Sequence, residues 1–160
     1  MQQGYEDSNV QLDFKQVAKV YAHVDIDCEE LPEYKTTDAA GFDLRANETV
    51  EFMPGETKVV GTGVRVALPI NTYLQISLRS GLGAQGRFII PNGVGIIDAD
   101  YRGEIKAILT NISKIKQVIN AGDRIMQGIL IPYYTALFNK TKDLPKTTRG
   151  AGGLGSTGMK

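Results

Sequence analysis

From residue 17 the hydrophobic and polar pattern of this 160-residue chain becomes β-like, in short runs spaced by turn residues. Val17, Lys19, Tyr21 and His23 alternate with Ala18, Val20, Ala22 and Val24, and this reads as the first strand. Further strands are expected over 49–53, 57–67, 72–78, 88–90, 104–111, 117–119 and 124–133, all rich in Val, Ile, Thr and Tyr. Turn residues separate them: Pro54-Gly55, Pro69-Ile70-Asn71 and Asn120-Ala121-Gly122. No apolar period of 3.6 persists for twelve residues, and the best helical piece is 80–85. Many short, evenly spaced strands predict an all-β sandwich or barrel of the jelly-roll kind, with at most one short helix.

The ends of the chain break the pattern. Residues 1–16 are polar and unpatterned, which predicts a flexible arm before a β-barrel over 17–138. Residues 139–148 are polar, and 149–160 are dominated by glycine. The run RGAGGLGSTG has almost no side chains to bury, so 139–160 is read as a mobile arm. A glycine-rich terminus is either a plain tail or a flap that orders on a ligand. Bare backbone N–H groups, the hydroxyls of Ser156 and Thr157 and the forked cation of Arg149 suit phosphate.

Composition narrows the function. Eighteen basic residues balance eighteen acidic ones, so no global field gathers nucleic acid or an anionic membrane. Any bound anion must be held by local groups. The lone Cys28 cannot form an internal disulfide, which fits a reducing compartment. No apolar run reaches the roughly 18 residues of a membrane helix. The N-terminus lacks the basic-then-apolar order of a signal peptide, so a cytoplasmic location is expected.

Several places could carry chemistry. Arg79-Ser80-Gly81 follows a strand and opens the short helix, where free N–H groups point outward; Ser80 is either a helix cap or an anion contact. Asp98 and Asp100 lie near the bend of an expected hairpin after Asn92. They are plain turn residues, or one is a base that takes a proton from water. Asp43 stands between apolar neighbours at a strand start, as hydrogen-bonded structure or as part of a magnesium shell, since magnesium prefers oxygen ligands and keeps several waters. Arg124 and Gln127 enter an apolar strand as structural hydrogen-bonders or phosphate contacts. His23 and Cys28 stand alone, which argues against a zinc site. No phosphate-binding Gly-x-x-x-x-Gly-Lys-Ser/Thr loop and no Gly-x-Ser-x-Gly elbow is present.

Five segments taken in order carry more than any one of them. They are DAAGFDLRA at 38–46, RSGLG at 79–83, NGVGIIDADYRGE at 92–104, GDRIMQ at 122–127 and RGAGGLGSTG at 149–158. In this order and spacing the chain resembles the homotrimeric deoxyuridine triphosphatase (dUTPase) family. The resemblance implies a distorted jelly-roll barrel that forms homotrimers, with sites at subunit interfaces, and hydrolysis of dUTP to dUMP and pyrophosphate. It makes Asp98 the general base and Asn92, Gly95 and Ile97 the uracil-reading hairpin. Tyr101 packs under the deoxyribose and excludes a 2′-hydroxyl. Arg79, Ser80, Gly81 and Gln127 contact phosphate, and Asp43 holds Mg2+ through water. Arg149, Gly155, Ser156 and Thr157 close on the γ-phosphate, and Leu154 covers the uracil.

The family usually has phenylalanine at Leu154. Stacking an aromatic on a base contributes about 1–3 kcal/mol by alanine substitution. Leucine keeps apolar cover without the π face, so a smaller loss, weaker flap ordering and a higher KM are expected. Met126 stands where the family more often has a small residue and is expected to face the core of the trimer or of the barrel. Two other readings remain at this point. The related dCTP deaminases share the fold but need a catalytic glutamate where this chain reads Ile97-Asp98-Ala99-Asp100-Tyr101. A regulatory protein-binding trimer on the same scaffold would not need Asp98.

Overall fold

The computed structural model describes residues 20–153. Among them are eleven strands and one short helix: β1 (Asp25–Asp27), β2 (Phe42–Arg45), β3 (Val50–Phe52), β4 (Thr57–Gly61), β5 (Arg65–Ala67), β6 (Thr72–Leu78), α1 (Ser80–Ala84), β7 (Phe88–Ile89), β8 (Gly95–Ile97), β9 (Lys106–Asn111), β10 (Gln117–Ile119) and β11 (Arg124–Pro132). Every pairing is antiparallel. The largest sheet runs β2-β11-β6-β8 and a second runs β4-β9-β7. Two-stranded pairs, β1-β5 and β10-β3, complete the set.

Alternation along the strands decides which residues fill the interior. In the four-stranded sheet, Leu44, Met126 and Leu78 share one row, and Phe42, Gly128, Ile76 and Gly95 share another. Successive side chains point to opposite faces, so these rows turn inward, and Leu44, Met126, Leu74 and Ile76 are buried. Met126 therefore lies in the barrel core, as its position in the apolar row requires. Val60, Ala107, Leu109 and Phe88 meet them from the other sheet, and Phe52 and Ile119 from the β10-β3 pair. Phe52 and Phe88 touch edge to face, with centroids 5.0 Å apart, a geometry that aromatic quadrupoles favour.

Two glycines make this packing possible. A Cβ on Gly128 would sit 2.9 Å from the Phe42 ring, and one on Gly95 would sit 2.5 Å from Ile76 Cγ1. Asn111 is fully buried and fully engaged. Its Nδ2 donates to the carbonyls of Phe52 and Ile115, and its Oδ1 accepts from the N–H and hydroxyl of Ser113. A satisfied amide of this kind fixes the turn between β9 and β10.

Several sequence expectations need correction. The strand expected over 17–24 lies partly outside the described residues; within them, 20–24 form no strand, and the first strand is β1. β1 is set by pairing with β5, reinforced by Arg65 Nη1 at 3.0 Å from Asp27 Oδ2. The run 57–67 is two strands, broken where Gly63 takes φ +68°. The strand expected from 104 begins at Lys106. After β11 no strand or helix occurs through residue 153, and Tyr134, Leu137 and Phe138 are exposed.

Candidate active site

β6 organises the site because both of its edges are used. On one side β11 places Gln127 opposite Ser77, and β2 continues the row with Asp43 opposite Gln127. This row faces away from the core. Asp43 is nevertheless only 6% exposed, because two arginines cover it. Arg79 Nε lies 2.8 Å from Asp43 Oδ1, and Arg124 Nη1 donates to Asp43 Oδ2 at 3.0 Å. The Arg79 contact is within ion-pair distance, yet its N–H is not aligned, so buried Nε lacks a true hydrogen-bond acceptor. The interaction there is charge on charge. Arg79 is carried at the end of β6, where its backbone N–H donates to Ile125 at 3.2 Å.

Sequence alone left Asp43 open between hydrogen-bonded structure and a metal shell. It is the hub of a carboxylate–diarginine cluster, with each oxygen engaged by one guanidinium. Among the described residues, no three metal-ligating side chains converge. A carboxylate has about four lone-pair sites, so the oxygens can still accept from a metal-bound water. The donor set fits a cation carried by a phosphate chain and touched through water, not one caged by protein.

Ser80 opens α1, but Arg79 occupies the N-cap position and no side chain caps the helix. The capping reading of Ser80 is thus corrected. Ser80 and Gly81 are exposed.

At the other edge of β6, β8 pairs Ile97 with Leu74 and Gly95 with Ile76. The turn before it is tied by Asn92, whose Nδ2 donates to Val94 O at 2.9 Å, and by Gly93 at φ +77°. After β8 a second turn forms, with Tyr101 N–H donating to Asp98 O at 3.1 Å. Arg102 Nη1 braces it by donating to Ala99 O at 2.7 Å and Tyr101 O at 2.9 Å. Asp98 is exposed. Tyr101, 44% exposed, donates its hydroxyl to Glu104 O at 3.1 Å. Asp98 and Tyr101 border a shallow pocket of about 280 Å³ with Val59, Ile97, Glu104 and Ile108.

The third motif includes Glu104, to which sequence reasoning gave no role. Glu104 Oε1 accepts from Gly63 N–H at 2.8 Å and from Asn47 Nδ2 at 3.2 Å. Gly63 chiefly, with Lys106 behind it, holds this carboxyl below the usual range against the opposing effect of burial. Asn47 is 57 residues away, so no local pattern could have found the contact.

The two halves do not meet within one chain. Asp98 leaves β8 just beyond the Ile97–Leu74 pair, whereas Arg79 stands five residues further along β6. At about 3.3 Å per residue that is roughly 16 Å. Arg149 folds back on its own turn, with Nε donating to Gly152 O at 2.9 Å. Leu154, Gly155, Ser156 and Thr157 lie outside the described residues.

Residues 28–158 match the family model for dUTPase. The chain belongs to the dUTPase family. Deoxyuridine 5'-triphosphate nucleotidohydrolases from Maricaulis maris and Rickettsia felis are 44% and 46% identical to it, over 81% of this chain and 88% of each relative. The enzyme of that name from Helicobacter pylori is 41% identical, over 81% of this chain and 89% of its own length. The dUTPase crystal structure from Streptococcus mutans superposes with a TM-score of 0.65 at 32% identity, covering 68% of this chain and 89% of that one. A Staphylococcus bacteriophage 80alpha dUTPase variant with dUpNHpp shares the fold, with a TM-score of 0.79 at 23% identity, over 85% of this chain and 98% of that one. The dUTPase model thus spans all five motif segments.

Proposed function

We propose that this chain hydrolyses dUTP to dUMP and pyrophosphate in a homotrimer whose sites lie between subunits. The observation that carries the reading is the roughly 16 Å along β6 between the Asp98 hairpin and the arginine cluster. One chain offers a base at one end and phosphate ligands at the other, so a compact triphosphate needs the two ends of different chains. The exposed apolar residues Val59, Ile108, Leu137 and Phe138 give a neighbouring chain surface to cover.

In this reading Asp98 accepts a proton from the water that attacks the α-phosphorus in line, and pyrophosphate leaves. The exposed carboxylate is free to meet water before substrate closes over it. The Asn92-braced hairpin, with Gly95 and Ile97, offers backbone donors and acceptors to the uracil edge. Tyr101 lies under the sugar. Arg79, Ser80, Gly81 and Gln127 receive the phosphates, and Arg149, Gly155, Ser156 and Thr157 complete the cover with Leu154 over the base. Phosphoryl-type transfer depends mostly on such positioning and charge neutralisation. Asp43 would hold Mg2+ through water, and the bound ion would neutralise phosphate charge. The lone cysteine fits the cytoplasm as the compartment; burial and then Asp27 raise its thiol pKa, which reduces its thiolate fraction.

The test is pyrophosphate release with magnesium from dUTP, dTTP, dCTP and UTP in turn. Release from dUTP alone is expected, and Asp98→Asn abolishes it while nucleotide still binds. Ammonia from dCTP would mean a deaminase. No release from a folded trimer would favour the protein-binding scaffold. Equal mixtures of Asp98→Asn and Arg79→Ala chains regain activity if sites are shared, and stay inactive if each chain works alone.

A further inference from the structure

We propose that Glu104 is a positioning residue for sugar selection, holding Tyr101 in place through its own backbone carbonyl. The inference rests on the proposed role of Tyr101 beneath the deoxyribose.

The Tyr101 ring is set by two contacts. It lies against Gly103, where an added Cβ would sit 2.2 Å from the hydroxyl, and its hydroxyl donates to Glu104 O at 3.1 Å. A half-exposed ring with one tether is only as fixed as the group that holds the tether. Glu104 is fixed from outside the hairpin. Its Oε1 accepts from Gly63 N–H and Asn47 Nδ2, and Lys106 Nζ lies 3.4 Å from Oε2. Room for this exists because residue 61 is glycine: a Cβ there would meet Glu104 Oε1 at 2.6 Å and Asn47 Oδ1 at 2.7 Å. The next residue is stapled to the same loop, with Ile105 N–H donating to Val64 O at 2.8 Å and Thr62 Oγ1 donating to Ile105 O at 2.6 Å. The loop between β4 and β5 therefore grips the base of the Tyr101 turn at two points: Ile105 N–H pins one side of the peptide whose carbonyl takes the Tyr101 hydroxyl, and the Glu104 carboxylate pins the residue on its other side. Release of the carboxylate unpins the Glu104 side of that peptide, so the carbonyl pivots on the remaining Ile105–Val64 bond and the ring hung on it shifts to admit a 2′-hydroxyl.

The experiment compares kcat/KM for dUTP and UTP in one preparation, so that any unfolded fraction cancels in the ratio. Glu104→Ala should lower the dUTP-to-UTP ratio by about twofold to twelvefold, the range that one hydrogen bond supplies, chiefly through a lower KM for UTP. Glu104→Gln keeps an oxygen for Gly63 and Asn47 and should restore most of the ratio. Tyr101→Phe, which lacks the tether, should resemble Glu104→Ala. Tyr101→Ala separates the two ideas. If it leaves the ratio unchanged, the sugar-packing role of Tyr101 is wrong. If it collapses the ratio while Glu104→Ala and Tyr101→Phe do not, Glu104 has no part in selection. Should Glu104→Ala fail to fold, Asn47→Ala at an exposed position removes one of the two donors; an unchanged ratio there and in Tyr101→Phe overturns the proposal.

Discussion

Asp43→Ala removes the one anion between two guanidinium groups. Asp43 is buried, with Arg79 at 2.8 Å and Arg124 at 3.0 Å. Loss of one partner from a fully buried pair costs about 3–5 kcal/mol, because the remaining charge stays desolvated. Here the arginine side chains are 27% and 36% exposed, so water screens part of the loss. A cost of about 2–3 kcal/mol is expected. With a urea m-value of about 1–3 kcal/mol/M, the midpoint should fall by roughly 0.7–3 M. Equilibrium unfolding by circular dichroism at one fixed protein concentration measures this. A double-mutant cycle with Arg124→Ala then isolates the pair, and the two losses should be clearly less than additive. Asp43→Asn keeps an oxygen for one arginine and should lose less than Asp43→Ala. In turnover, the released Arg79 should raise the KM for dUTP. An Asp43→Ala chain within 0.5 kcal/mol of wild type, taken as the usual scatter of surface substitutions (about ±0.5 kcal/mol), would refute the hub.

Three other outcomes follow from packing and charge. Gly95→Ala drives a Cβ to 2.5 Å from Ile76 Cγ1, and Ile76 is itself buried; overpacking of about 1–3 kcal/mol and a raised KM for dUTP are expected, measured by melting and steady-state kinetics. Asn111→Leu takes the side-chain partner from the Phe52 carbonyl and from the Ser113 N–H, while Ser113 Oγ still reaches Ile115 O; a loss of about 1–3 kcal/mol is expected, which denaturant titration reads. The Glu104 carboxyl has a lowered pKa, mainly through Gly63 N–H. Its folded value lies below its unfolded one, so its stabilisation is full above the ordinary value of 4.5 and is lost as pH falls through the folded value. Glu104→Gln should therefore flatten the acid limb of the stability curve; an identical limb would remove Glu104 from that linkage.

The all-β class, the turns and the single short helix were legible because period-two alternation and Gly/Pro punctuation are local. β11 stood out because Ile125-Met126 and Ile129-Leu130-Ile131 flank Gln127-Gly128, and α1 differed from its expected span by a single residue. β1 was misplaced because alternation over 17–24 cannot say whether a partner strand is available; among the described residues Arg65–Ala67 supplies one, and it pairs with 25–27. The split at Gly63 was missed because a glycine within an apolar run carries no sign of its φ. The motif segments were legible as ordered strings, but their contacts were not. Asp43 meets Arg124 across 81 residues and Asn47 meets Glu104 across 57. Both contacts depend on strand register, which emerges only when the sheets assemble.

β6 can be regarded as a ruler. It spans Thr72–Leu78, with the Asp98 hairpin gauged from Leu74 and Arg79 at its far end. Inserting two residues in its middle would leave every remaining side chain on its proper face, since the facing repeat is two. It would also lengthen the gap by about 7 Å. Such a chain could keep its apolar face inward and still hold the proposed base and phosphate ligands at the wrong distance. On the proposed reading of the site, the length of this strand is as much a functional quantity as the identity of any residue on it.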